Sequence, residues 1–289
     1  MKIVVTGATG HLGRLAVEAL IERGVALADI TATGRRADAL AELANRGVVT
    51  ATIDFDDPAT LQAPFAGADA LLLVSGSEVG RRVPQHTNAI NAAQQAGIRR
   101  IVYTSAPHAT DTPLVLAPEH AATEELLNRS GLETTILRNN WYTENYADLV
   151  SAGAQSGEIV GSAGRGLVAS ASRIDYAQAA AASLIESTHA GKIYELAGST
   201  AWDFDELARV ISDIVGRPVT YRSLSPQEHR DWLLDHGADP QTAEFVVALD
   251  GNIRDGALAD ANDVLADLIG HPSTPLREGL AQAARTSQV

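Results

Sequence analysis

One glycine-rich segment near the start of the chain constrains the fold more than any other feature. The residues Gly7-Ala8-Thr9-Gly10-His11-Leu12-Gly13 follow a β-branched run and open an amphipathic helical pattern. Glycines in such a loop allow a tight turn and close approach of the backbone to a pyrophosphate, and the helix N-terminus offers N–H groups to it. Because strand, loop and helix come in the required order, the segment predicts a nucleotide-binding site; a purely structural turn is the alternative.

Short β-branched runs alternate with helical patterns through the first half of the chain. The runs occupy residues 2–6, 30–34, 48–53, 70–74, 100–104 and 133–137. Helical spacing of apolar residues fills the intervals, and Gly24, Gly47 and Gly97 follow the helix ends. This alternation is typical of βαβ units. We therefore predict an α/β fold with a Rossmann-type, doubly wound parallel sheet.

The second half of the chain has a looser pattern. Glycines crowd between residues 153 and 166, which favours turns and a hairpin-like excursion. Asp175 is predicted to cap an alanine-rich helix through Ile185, and a strand is expected at residues 193–197. Further helices are expected at residues 203–215, 226–236, 240–248, 257–269 and 276–284. We predict a nucleotide-binding domain at residues 1–148 and a smaller α/β substrate lobe at residues 149–289, with segments free to interleave.

Composition excludes several classes of function. The sequence has no cysteine, so disulfides, thiolate metal sites and cysteine nucleophiles are absent. A net charge of -14 opposes binding to nucleic acid. The histidines lack metal-ligand spacing, no Gly-x-Ser-x-Gly elbow occurs, and neither a membrane span nor a signal peptide is apparent. We expect a cytoplasmic protein without a bound metal, a membrane or a nucleic-acid partner.

The residues after the second strand bear on the choice of nucleotide. NAD-selecting sites carry an acidic residue roughly 20 residues beyond the glycine loop, which bonds the ribose hydroxyls. This sequence has Thr33-Gly34-Arg35-Arg36 there instead. A guanidinium can pair with a 2'-phosphate, so the sequence predicts NADPH with Arg35 as the clamp. The alternative is that both arginines are solvated at a helix start.

Polar residues after the later strands are expected in the same crevice. Asp54 and Phe55 would lie over the adenine, although Asp54 could simply cap a turn. The loop Ser75-Gly76-Ser77 would approach the ribose and nicotinamide, and Ser105 ends the fifth strand nearby.

Several motifs resemble a known family, the NmrA-like atypical short-chain dehydrogenases, and within it the quinone reductases. The matching segments span most of the chain: the glycine loop, residues 77–80 with 84–86, residues 103–105, Leu137-Arg138-Asn139-Asn140-Trp141-Tyr142-Thr143-Glu144-Asn145-Tyr146, residues 194–198 and residues 269–272. Triphenylmethane dye reductases look like more distant relatives. The resemblance implies that NADPH is bound by the glycine loop, Arg35, residues 75–77 and the segment from Arg138 to Thr143.

The residues of that last segment have a structural interpretation as well. Asn139 and Asn140 could bond the nicotinamide carboxamide or cap the next helix. Trp141 and Tyr142 could wall an aromatic substrate or fill a junction between lobes, and Thr143 completes the segment.

The catalytic pair of related enzymes is missing. Classical members of the superfamily use Tyr-x-x-x-Lys to move a proton, and this sequence has no such pair. We therefore predict hydride transfer to a small, electron-poor acceptor such as a quinone, with His120 as the candidate proton donor or, alternatively, a structural histidine. A second hypothesis is an NADP(H)-sensing regulator without catalysis. A sugar-nucleotide epimerase or ketone reductase is disfavoured, and the oligomeric state stays open.

Overall fold

The computed structural model describes residues 1–286, which form two compact units. The first unit comprises Met1–Thr110, Leu116–Asn139 and Arg173–Leu196. The second comprises Asp111–Val115, Asn140–Ser172 and the described chain from Ala197 onward. The units thus interleave, with residues 140–148 in the second unit and residues 173–196 in the first.

The strands and helices alternate in the order that the sequence predicts for the first half. The strands are β1 (Ile3–Val5), β2 (Ile30–Gly34), β3 (Val49–Thr52), β4 (Ala70–Leu73), β5 (Arg100–Ser105), β6 (Glu133–Asn139), β7 (Glu158–Gly161), β8 (Ile193–Leu196) and β9 (Thr220–Ser223). The helices are α1 (His11–Glu22), α2 (Ala37–Asn45), α3 (Ala59–Phe65), α4 (Arg82–Gln95), α5 (Ala117–Arg129), α6 (Ala147–Ser156), α7 (Arg173–Ile185), α8 (Phe204–Val215), α9 (Pro226–Asp235), α10 (Pro240–Arg254), α11 (Val264–Ile269) and α12 (Leu276–Thr286).

The first unit is built on a seven-stranded parallel sheet. Its strand order is β3-β2-β1-β4-β5-β6-β8, and every neighbouring pair is parallel. The winding direction reverses between β1 and β4, which leaves a crevice at the carboxyl ends of these strands. The predicted doubly wound Rossmann-type sheet is confirmed, with β8 as an added edge strand.

Small and branched apolar side chains pack both faces of this sheet. On one face, α1 buries Leu12, Ala16 and Leu20 and packs against α7, whose buried residues are mostly alanines. On the other face, a buried cluster that includes Phe65 and Tyr103 joins the sheet to α3, α4 and α5. The fully buried strands β1 and β4 match the continuous apolar runs expected of a parallel sheet covered on both sides.

The second half of the chain differs from the sequence prediction at several elements. β7 and β9 pair in parallel rather than as a hairpin, since β7 takes its partner from residues 220–223. Asp175 lies in the first turn of α7, which begins at Arg173, so it is not the cap. α11 begins at Val264 rather than at residue 257.

Residues 1–286 contain no helix that is long and apolar enough to span a bilayer. Over the same range, no group of three or more histidine, aspartate or glutamate side chains is arranged to hold a metal ion.

Candidate active site

The glycine loop forms a sharp turn between β1 and α1. Gly7 has a φ of 65°, in the left-handed region that favours glycine. The N–H of Gly10 donates to the carbonyl of Gly7 at 2.9 Å, and the N–H of Ala8 donates to Thr33 O at 2.8 Å. Gly10 caps α1 without a side chain, and the first turn has no acidic residue. The N–H groups and partial positive charge of this helix end are therefore available to an anion.

Three glycines in or beside the loop differ in how much space surrounds their Cα atoms. A Cβ on Gly13 would lie 2.3 Å from the carbonyl oxygen of Gly7, and one on Gly34 would lie 2.6 Å from the Thr9 side chain. These two positions require glycine for close packing. A Cβ on Gly10 would meet only Gly7 O, at 3.3 Å, so a side chain there would extend into the space above the loop.

A cavity of about 370 Å³ opens above this loop in the first unit. Most of the residues that the sequence predicts for cofactor binding line it together, namely Gly7, Thr9, Gly10, His11, Leu12, Gly13, Arg35, Asp54, Phe55, Ser75, Gly76 and Ser77. They follow β1, β2, β3 and β4, so the cavity lies at the predicted crevice. Ala8 is buried behind the loop, where its N–H holds the turn.

The two arginines after β2 separate into different roles. The Arg35 side chain lines the cavity and forms an ion pair with Glu78. Arg36 is not among the residues that line the cavity, and its Nη2 donates to the carbonyl of Thr9 at 2.8 Å. Arg36 therefore braces the glycine loop, and of these two arginines Arg35 lines the cavity.

Asp54 makes the turn contact considered from the sequence and also lines the cavity. Its Oδ1 accepts from the N–H of Asp56 at 2.9 Å, as in a capped turn. Asp54 and Phe55 also line the cavity. A carboxylate and an aromatic ring are thus present where an adenine is expected.

The loop after β4 is fixed from behind by side chains of α4. Gly76 donates its N–H to Nε2 of His86 at 3.1 Å and accepts from Nε of Arg82 at 2.9 Å. Arg82 pairs in turn with Glu119 at 2.9 Å, and Glu119 also accepts from the N–H of Gly80 at 3.0 Å. Both polar groups of the Gly76 backbone are therefore held, and the loop edge faces the cavity in a fixed position.

His86 acts here as a neutral acceptor. Burial, with a smaller effect of the nearby Arg82, lowers the pKa of His86 to about 3. Because Nε2 accepts from Gly76, the proton lies on Nδ1, which is 3.0 Å from the Thr123 hydroxyl. The hydrogen bond to Gly76 is therefore kept over the whole range of neutral and mildly acidic pH.

His120 lies in the interior of the first unit and is not among the residues that line the cavity. Its Nδ1 is 2.8 Å from the hydroxyl of Tyr103, and 5% of its surface is exposed. Burial is the main cause that lowers the pKa of His120 to about 3. The imidazole is thus neutral at neutral pH, and any proton it donates would come from a neutral ring.

Ser105 and Arg138 belong to a charged network at the carboxyl ends of β5 and β6, outside the residues that line the cavity. Arg138 pairs with Glu124 at 2.6 Å and with Glu195 at 2.9 Å, and Ser105 donates to Glu124 at 2.6 Å. Glu124 and then Glu195 raise the pKa of Arg138 above its usual range. The guanidinium is occupied by carboxylates, so its predicted contact with the nucleotide stays a prediction.

The segment after Arg138 also lies outside this cavity lining. Asn139 ends β6 in the first unit, whereas Asn140, Trp141, Tyr142 and Thr143 belong to the second. The Asn140 amide donates to the carbonyl of Leu258 at 3.3 Å and accepts from the N–H of Trp141 at 2.7 Å. The Thr143 hydroxyl is 2.9 Å from that of Ser170. These bonds give Asn140 and Thr143 structural partners, but Asn140 does not cap the next helical turn, whose N-cap is Tyr142. A role at the nicotinamide stays a prediction.

Three polar side chains that line the cavity were not predicted as site residues. Glu78 and Gln85 occur within the motifs that carry the family resemblance, so that signal could have found them. Arg173 begins α7, far along the chain from the glycine loop, and no local pattern marks it. It adds a second cation to the cavity lining.

The second unit contains a buried cluster of Ser162, His229 and Asp250 that resembles a hydrolytic triad only in composition. Nδ1 of His229 is 3.1 Å from both the Ser162 hydroxyl and the Asp250 carboxylate. A relay needs the two partners on opposite ring nitrogens. All three residues are buried, so the cluster joins the residue after β7 to α9 and α10 as a structural contact.

Comparisons with known proteins agree with this geometry. Residues 7–187 match the model of the NAD(P)H-binding family. The chain belongs to this family. Quinone oxidoreductase 2 of Escherichia coli is 42% identical over 279 residues, which cover 96% of this chain and 97% of the relative.

Solved structures of two enzymes share the whole fold. The Escherichia coli NADPH-dependent quinone oxidoreductase in complex with NADPH superposes with a TM-score of 0.93 at 42% identity, covering 97% of this chain and 99% of the other. The Citrobacter sp. triphenylmethane reductase in complex with NADP(H) gives 0.92 at 36% identity, covering 98% and 100%. The NAD(P)H-binding chain described here is thus similar to both over nearly its full length.

Proposed function

We propose that this chain is an NADPH-dependent oxidoreductase that reduces a quinone or a similarly electron-poor small molecule. The observation that carries the proposal is the 42% identity to Escherichia coli quinone oxidoreductase 2 over almost the whole of both chains. This likeness supports an enzyme over the alternative of an NADP(H)-sensing regulator. A cytoplasmic location stays a prediction.

The residues of the cavity fit NADPH. The uncapped N-terminus of α1 and Gly10 suit a pyrophosphate, because they offer N–H groups and leave room above the loop. Arg35 provides a guanidinium where a 2'-phosphate is expected, and Phe55 provides an apolar ring for the adenine. When bound, the nicotinamide of NADPH supplies a hydride.

We propose that this chain contributes mainly by positioning. His86 and Arg82 fix the loop at Gly76, which we expect at the ribose and nicotinamide end of the nucleotide. Holding two reactants at the right distance and orientation accounts for a large part of the rate enhancement in such reactions. The neutral, buried state of His120 favours a mechanism in which the reduced acceptor takes its proton from water, which the stable anion of an activated quinone allows.

The test is NADPH oxidation, followed spectroscopically, against quinones, nitroaromatics, triphenylmethane dyes and aldehydes. We expect turnover with quinones and dyes and little with aldehydes, since the Tyr-x-x-x-Lys pair is missing. NADPH binding without consumption by any acceptor would refute the enzyme and favour the regulator.

A further inference from the structure

The Arg35 and Glu78 side chains meet at the cavity from two different loops. Arg35 follows β2 and Glu78 follows β4, and both line the cavity. Their ion pair joins Nη1 of Arg35 to Oε1 of Glu78. The cation that the proposed function assigns to the 2'-phosphate is therefore already paired with a carboxylate of this chain.

Glu78 also has partners on its other side. Its Oε2 accepts from Nε2 of Gln85 at 3.3 Å and lies 3.9 Å from Nη1 of Arg81. Arg81 is held by Asp56 at 3.0 Å, and Gln85 also donates to Asp56 at 3.2 Å. A carboxylate released by Arg35 would thus keep a donor and a nearby cation. Hydrogen bonds from Arg35 and Gln85 lower the pKa of Glu78, so it is ionised at neutral pH.

The Glu78 carboxylate should affect the binding of NADPH and of NADH differently. The 2'-phosphate of NADPH carries about -1.5 to -2 charges near pH 7 and competes with Glu78 for the same guanidinium. If the carboxylate stays close, it also repels the phosphate. NADH has a 2'-hydroxyl instead, which can donate a hydrogen bond to a carboxylate.

We propose that Glu78 is a specificity-determining residue that limits the preference for NADPH over NADH by occupying Arg35. The proposal rests on the proposed function only in its assignment of NADPH as the nucleotide. It adds a carboxylate to a site whose selectivity the sequence assigns to Arg35 alone.

The test measures nucleotide affinity and not turnover. NADPH and NADH are titrated separately into the full chain without an acceptor, at low and at moderate salt. Glu78→Gln keeps the shape and removes the charge, and we expect it to tighten NADPH by about three- to tenfold at low salt. NADH should bind equally well or more weakly. The gain for NADPH should shrink as salt is added, because the Arg35 side chain is largely exposed to solvent and that of Glu78 is partly exposed.

Glu125→Gln is the matched control. Glu125 pairs with Arg129 on the surface of α5, so the variant removes the same charge away from the cavity. We expect it to leave both affinities unchanged. An equal effect in this control would assign the gain to net charge and overturn the proposal.

A double variant tests whether Glu78 acts through Arg35. In an Arg35→Ala background, Glu78→Gln should change NADPH affinity by clearly less than in the wild type. Full additivity, or an unchanged ratio of NADPH to NADH affinity in Glu78→Gln alone, would overturn the proposal. Failure of the proposed function is separate, since it would show as NADPH binding without quinone reduction; absence of binding by either nucleotide would refute both.

Discussion

Mild acid should destabilise this protein through two buried histidines. His86 and His120 have their pKa values lowered to about 3, mainly by burial, from an ordinary value of 6.5. The unfolded chain therefore binds more protons than the native chain between these limits. Stability rises with pH wherever the unfolded state binds more protons, so it is complete above about pH 6.5 and is lost as the pH falls toward 3.

The size of the loss follows from the two pKa values. A histidine that titrates near 6.5 when unfolded and stays neutral when native removes about 2 kcal/mol of unfolding free energy between about pH 7 and pH 5. His86 and His120 together should remove about 4 kcal/mol, a large part of the total stability of an ordinary domain. Most carboxylates are still ionised over this interval, so they contribute little to the change.

Urea unfolding, followed by circular dichroism at several pH values between about 7 and 5, measures this loss. The matched variant His120→Gln cannot titrate, and its loss over the same interval should fall to about 2 kcal/mol. Comparing each protein with itself across pH removes the separate effect of breaking the bond to Tyr103. An unfolding free energy that is constant from pH 7 to pH 5 in the wild type would refute the reasoning, as would an equal loss in the variant.

Three further predictions concern the candidate site. Arg35→Ala should reduce the preference for NADPH over NADH by about tenfold or more, as loss of a charge-assisted bond implies; unchanged selectivity in titrations would contradict the clamp. Gly10→Val should abolish NADPH binding and leave a folded protein, because the side chain would fill the space above the loop; retained affinity would show that the loop is only structural. His120→Ala should lower quinone turnover by less than the roughly hundredfold expected for a general acid, and complete loss of activity with NADPH affinity intact would make His120 the proton donor.

The sequence predicts the first unit well because its signals are local. Each strand run stands next to its own helix, and the glycine loop lies beside the strand it follows, so period and turn chemistry locate them within a residue or two. The residues after β1 to β4 meet in one cavity for the same reason, since parallel strands bring their carboxyl ends to one edge.

The missed features depend on distant partners. β7 pairs with β9, which comes from residues 220–223, and its glycine-rich surroundings favour a hairpin when considered alone. Arg173 reaches the cavity through the fold and not through a motif. The carboxylates that occupy Arg138 come from α5 and β8, so its pairing cannot be deduced from the segment that contains it.

The return of residues 173–196 to the first unit has a consequence for how the chain folds during synthesis. α7 covers α1, and β8 extends the sheet beside β6, so the first unit stays incomplete until residue 196 has left the ribosome. By then Asn140–Ser172 of the second unit has already been made. The glycine loop and α1 are made before α7, so α1 keeps an uncovered apolar face until α7 arrives. Chains truncated between residues 148 and 172 should therefore accumulate as chaperone-bound or aggregated species rather than as a small nucleotide-binding domain.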